Sequence, residues 1–120
     1  MDASVKGHVA IVRALLEAKA NPNLQSNVGR HALMLAAKKN HTAILQLLIT
    51  HGVNLELEDQ HKRTALMWAT DYGHSESVKI LVQHGANVHH RDKDNKTAAD
   101  YALKGQYYEV LTLLHNAETR

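Results

Sequence analysis

Ten histidines and four serines are the side chains best equipped for chemistry in this 120-residue chain, and their spacing decides what kind. A hydrolytic serine sits on a tight strand-to-helix turn of the Gly-x-Ser-x-Gly type. Ser4, Ser26, Ser75 and Ser77 stand in no such setting, and no phosphate-cradling glycine loop occurs. For a metal, the obvious candidate is the pair His89-His90, with His61 in a neighbouring turn. Adjacent residues on an extended segment point to opposite faces, so that pair is poorly arranged for one ion. Cysteine is absent, which removes thiolate sites, disulfides and a cysteine nucleophile together. The expectation is a chain with no catalytic residue, cofactor or metal. Recognition remains, and it centres on the only tryptophan, Trp68, with Tyr72 one turn further on and basic residues around them.

The elements that hold these residues are written as a repeat. Gly7-His8, Asn40-His41 and Gly73-His74 recur every 33 residues. Each pair is followed by an apolar stripe: Ile11, Val12, Leu15, Leu16; then Ile44, Leu45, Leu48, Ile49; then Val78, Leu81, Val82. Val110, Leu111 and Leu114 make a fourth copy at the same spacing. Positions i, i+1, i+4 and i+5 form one face of a short amphipathic helix. Gly52 and Gly85 fall just past these helices, where a left-handed cap favours glycine. Polar turns follow at SNVGR, DQHKR and DKDNK, and then a small-residue helix opens in HALMLAA, TALMWAT and TAADYAL, with Thr64 and Thr97 at N-cap positions. One such unit cannot bury its own apolar faces, so stability must come from stacking neighbours into a solenoid. The predicted fold is all-α, a single domain of stacked helix-turn-helix units joined by short β-hairpin-like loops. Its divisions are a partial repeat over 1–23, repeats over 24–56 and 57–89, and a C-terminal capping repeat over 90–120.

TALMWA and TAADYA resemble the T-P-L-H-x-A signature of ankyrin repeats, and HGVNLELED and HGANVHHRD resemble the ankyrin loop that leads to the next hairpin. The sequence departs from the pattern at Ala32, Ala65 and Ala98 for Pro, and at Met34, Met67 and Asp100 for His. His31 replaces the capping threonine of its repeat. Lys62 and Asn95 stand where the hairpin glycine belongs, and Lys tolerates a left-handed backbone less well than Asn.

The resemblance implies a concave groove lined by the hairpin tips and the open side of the first helices. Carried onto this chain, it comprises Asn27, Val28, Arg30, Lys38 and Lys39, then Gln60, His61, Arg63, Trp68, Asp71 and Tyr72, then Lys93, Asp94, Lys96, Tyr101 and Lys104. Helical spacing puts Leu66, Ala69 and Thr70 inward, with Trp68, Asp71 and Tyr72 on the opposite side. Trp68 serves either lateral packing against Leu35 and Tyr101 or contact with a partner. The groove takes seven of the 14 basic residues and two of the 12 acidic ones, so it is basic while the remainder is slightly acidic. The implied function is a non-enzymatic module for a protein or peptide partner, acidic or phosphorylated, working as a monomer. The alternatives are a structural spacer in a longer array, or a nucleic-acid- or metal-binding module. A net charge of +2 is small for a nucleic-acid binder, which must neutralise many phosphates. With no membrane-length apolar run and no signal-peptide layout, the cytoplasm is the expected compartment, with the nucleus as the other choice.

Overall fold

The structure, a computed structural model, describes residues 22–50 and 52–118. The stripe at Ile11 to Leu16 and nearly all of the partial repeat over 1–23 lie outside the described residues. Among the described residues six helices follow one another: α1 (Pro22–Lys39), α2 (Thr42–Thr50), α3 (Ala65–Asp71), α4 (Ser75–Gln83), α5 (Ala98–Gly105) and α6 (Tyr108–Glu118). Within each pair the helices pack on each other, α1 on α2, α3 on α4 and α5 on α6. Across pairs, α1, α3 and α5 form one row, and α2, α4 and α6 a second. This is the two-layer solenoid that a 33-residue repeat requires.

The core lies between the rows. Ile44, Leu45 and Leu48, then Val78, Leu81 and Val82, then Val110 and Leu114 are buried from the second row. Leu33, Ala36 and Ala37, Leu66 and Ala69, and Ala98 and Ala102 meet them from the first. Small residues in the first row allow close approach of the helices, so burial is assembled from many aliphatic contacts of about 25 cal/mol per Å². Leu66, Ala69 and Thr70 are all at or below 1% exposure, as the helical spacing predicts.

Among the described residues, α1, α3 and α5 end in the same way. Asn40, Gly73 and Gln106 adopt φ of 56°, 68° and 60°, and the amides of His41, His74 and Tyr107 reach back to the carbonyls of Ala36, Ala69 and Ala102 at 2.9 Å each. Glycine is required at 73 for a second reason: a Cβ there would come within 2.6 Å of the Tyr107 ring. The second helices close at Gly52 and Gly85, whose φ of 82° and 89° fulfil the expected left-handed caps.

Two expectations fail for identifiable reasons. The turn read in SNVGR is absent: α1 runs unbroken through it from Pro22. At the matching positions of the later repeats Asp59 and Asp92 hold the turn by accepting backbone amides, whereas the first copy has Ser26, and Pro at a first helical position favours helix. Thr64 occupies an N-cap position (φ −93°, ψ 170°) but makes no side-chain capping bond, and its buried hydroxyl has no hydrogen-bond partner. Thr97 does cap, because Asp100 three residues on reciprocates: its carboxylate accepts the Thr97 amide at 2.9 Å, and the Asp100 amide donates to the Thr97 hydroxyl. Met67, the counterpart of Asp100, has no acceptor to offer.

Candidate partner-binding groove

Two hairpins of the same design carry the site. In the first, the Asp59 amide donates to the Arg63 carbonyl at 3.0 Å, and Asp59 Oδ1 accepts the amides of His61 and Arg63 at 2.8 and 3.0 Å. In the second, Asp92 Oδ1 accepts the amides of Asp94 and Lys96 at 2.9 Å each. The Lys93 amide donates to the His61 carbonyl at 2.9 Å and ties one hairpin to the next. Lys62 and Asn95 take up the left-handed conformation, with φ of 59° and 63°. The departure from glycine therefore leaves the hairpin shape intact and puts its strain at Lys62.

The second carboxylate oxygen of each aspartate receives a donor from the helix that follows. Trp68 Nε1 donates to Asp59 Oδ2 at 2.8 Å, and the Tyr101 hydroxyl donates to Asp92 Oδ2. Both pairs are nine residues apart in sequence. Arg63 is shared between them: its guanidinium lies 5.0 Å from the Trp68 ring centre and 5.2 Å from that of Tyr101, with Nε 3.7 Å from Asp92 Oδ2. Lys38 Nζ, from α1, lies 4.7 Å from the Trp68 centre. Tyr72 stacks on Trp68 at 6.1 Å, and His74 on Tyr72 at 6.0 Å. His74 Nε2 in turn is 2.9 Å from the Lys38 carbonyl, fastening the ring series to α1.

Burial pushes the Asp59 carboxyl up, but the Arg63 amide, the Trp68 indole and the His61 amide together hold its pKa below the ordinary value of 3.8. The same contest ends the same way at Asp92, where burial is outweighed by Tyr101, two amides and the Arg63 charge. Tyr101 is pushed up to about 12 by burial and by its bond to Asp92. Both aspartates are thus ionised and engaged near neutral pH.

Arg30, Lys39, Gln60, His61, Lys93, Lys96 and Lys104 are exposed, while Lys38, Arg63, Trp68 and Asp71 are half-buried. Tyr72 is 49% exposed. Tyr101 is turned inward at 9%, so its hydroxyl holds the second hairpin instead of facing the groove. The side chains of Asn27 and Val28 lie outside the described residues. Trp68 is half-buried and packed against the core cluster, and Lys38 and Arg63 lie over its ring. A cleft of 520 Å³ opens beside it, lined by Arg30, Met34, Lys38, Asp59, Gln60, His61 and Trp68. Asp59 and Met34 were not among the expected groove residues. The signal for Asp59 was present, an aspartate nine residues before an aromatic in two successive repeats.

A family model for ankyrin repeats in three copies matches residues 1–92. The chain belongs to the ankyrin-repeat family. Among curated proteins, none was found to match it. Ankyrin repeats generally serve as protein-protein interaction modules and are typically non-enzymatic. The α5–α6 pair lies beyond the matched residues and continues both helix rows of this ankyrin array. No helix among the described residues is long and apolar enough to cross a membrane.

Proposed function

We propose that this ankyrin array is a non-enzymatic, monomeric binding module whose open side receives an anionic protein or peptide. The observation that carries the reading is the convergence of half-buried Trp68 and exposed Tyr72 with basic side chains from two elements, Lys38 on α1 and Arg63 on the first hairpin, with Lys93 and Lys96 exposed on the next hairpin. Aromatic anchors beside desolvated cations are the usual makings of an interface hot spot, and the surrounding positive charge favours encounter with an acidic surface. The cysteine-free composition fits a reducing compartment, the cytoplasm or nucleus.

The test compares binding partners of the whole chain by calorimetry in wild type, Tyr72→Ala and the double variant Lys93→Glu/Lys96→Glu, with Lys79→Glu on α4 as a control. Groove variants should weaken binding about tenfold or more, with a salt dependence that the control retains. A partner lost equally with Lys79→Glu, or indifferent to the groove variants, would sink the reading.

A further inference from the structure

The cleft beside Trp68 has an acid, Asp59, in its wall. That acid is already saturated: Asp59 Oδ1 accepts two amides and Oδ2 accepts the Trp68 indole. The two cations of the cleft are in the opposite condition. Lys38 makes no ion pair among the described residues and lies over the Trp68 ring, and exposed Arg30 makes no ion pair among them either. The apolar surface is supplied by Met34, 8% exposed, and by the Trp68 ring. Because Asp59 consumes the indole N–H, Trp68 offers the cleft a ring surface and no donor. An occupant must therefore bring an apolar stem and an anionic head. Asp59 stays negative, so Arg30 and Lys38 leave one net positive charge for that head. A carboxylate balances it, whereas a phosphate dianion would exceed it and stand against the Asp59 charge.

We propose, resting on the groove reading above, that this cleft is a subsite for a carboxylate side chain of a bound peptide, with Arg30 and Lys38 as its ligands. Asp59 is a positioning residue that fixes the Trp68 wall and sets the charge preference. The mouth between α1 and the first hairpin, at 520 Å³, accommodates a glutamate together with an apolar neighbour.

The test selects peptides from a random linear display library on the whole chain and measures the affinity of the selected sequences. The expected result is an Asp or Glu at one fixed position beside an apolar residue. Changing that residue to Gln, or using Arg30→Gln/Lys38→Gln protein, should cost about tenfold in affinity. Phosphoserine at the same position should bind no better than glutamate. Asp59→Asn should shift the preference toward phosphoserine, and Asp92→Asn, which alters the equivalent hairpin aspartate, should not. Peptides that need Tyr72 but carry no fixed acid and ignore Arg30→Gln/Lys38→Gln would overturn the carboxylate subsite and leave the groove reading standing. Peptides indifferent to Tyr72→Ala and Lys93→Glu/Lys96→Glu as well would overturn both. Phosphoserine binding more than tenfold tighter than glutamate would also overturn the proposal, by making the site one for a dianion.

Discussion

Asp59 and Trp68 are joined by a 2.8 Å hydrogen bond that spans one hairpin and the first turn of α3. The same carboxylate accepts the two amides that shape the hairpin, so turn geometry and the orientation of the groove tryptophan depend on one charge. Asp92 and Tyr101 repeat the relationship 33 residues on, and Arg63 lies between the two rings.

Acid should loosen the array at these aspartates first. Each has a folded pKa below 3.8, so each contributes stability that is present above that value and lost as pH falls through it toward the folded pKa. Thermal melting between pH 6 and pH 2 should show the decline beginning near pH 4. Asp92→Asn should flatten that decline and lower stability at pH 7 by about 1–3 kcal/mol through lost charge-assisted bonds. An unchanged pH profile in the variant would remove Asp92 from this role.

Lys62 holds a left-handed backbone that costs a non-glycine residue about 1–2 kcal/mol, part of which glycine gives back through its freer unfolded chain. Lys62→Gly should raise stability by about 0.5–1 kcal/mol in denaturant unfolding. Asn95→Gly should gain less, since asparagine tolerates this region better.

The two threonines at N-cap positions should respond in opposite directions. Thr97→Val breaks a reciprocal capping box and should cost about 1 kcal/mol. Thr64→Val removes a buried hydroxyl with no partner and should be neutral or stabilising by up to about 1 kcal/mol. Equal losses in the two melts would contradict the assignment.

Gly73→Ala combines an unfavourable φ of 68° with a Cβ 2.6 Å from the Tyr107 ring. The ring cannot simply swing aside, because it also lies against Gly105 on the other helix pair. A loss of about 2 kcal/mol or more is expected by calorimetric melting. Gly73→Ala combined with Tyr107→Ala should show less than additive loss, because the clash is relieved.

The period of 33, the apolar stripes and the caps at Gly52 and Gly85 were legible in the sequence because each is a local pattern that a stacked array must satisfy. The inward set Leu66, Ala69 and Thr70 followed from helical spacing alone. Local pattern could not reveal that Ser26 fails where Asp59 and Asp92 succeed, since loss of the turn depends on bonds that exist only once a hairpin closes. Nor could it place Tyr101 inward: groove and interior differ there by the reach of one hydroxyl to Asp92. The cations over Trp68 were not legible either, because Lys38 and Arg63 reach its ring from neighbouring segments whose approach depends on the stacked array.

The one indole of the chain stands in the wall of the cleft, hydrogen-bonded to an ionised carboxylate and close to two cations. Its fluorescence therefore carries no background from other tryptophans and senses the groove directly. Protonation of Asp59, displacement of Lys38 or arrival of an occupant each changes the polarity and charge around the excited ring, so the protein contains its own optical reporter.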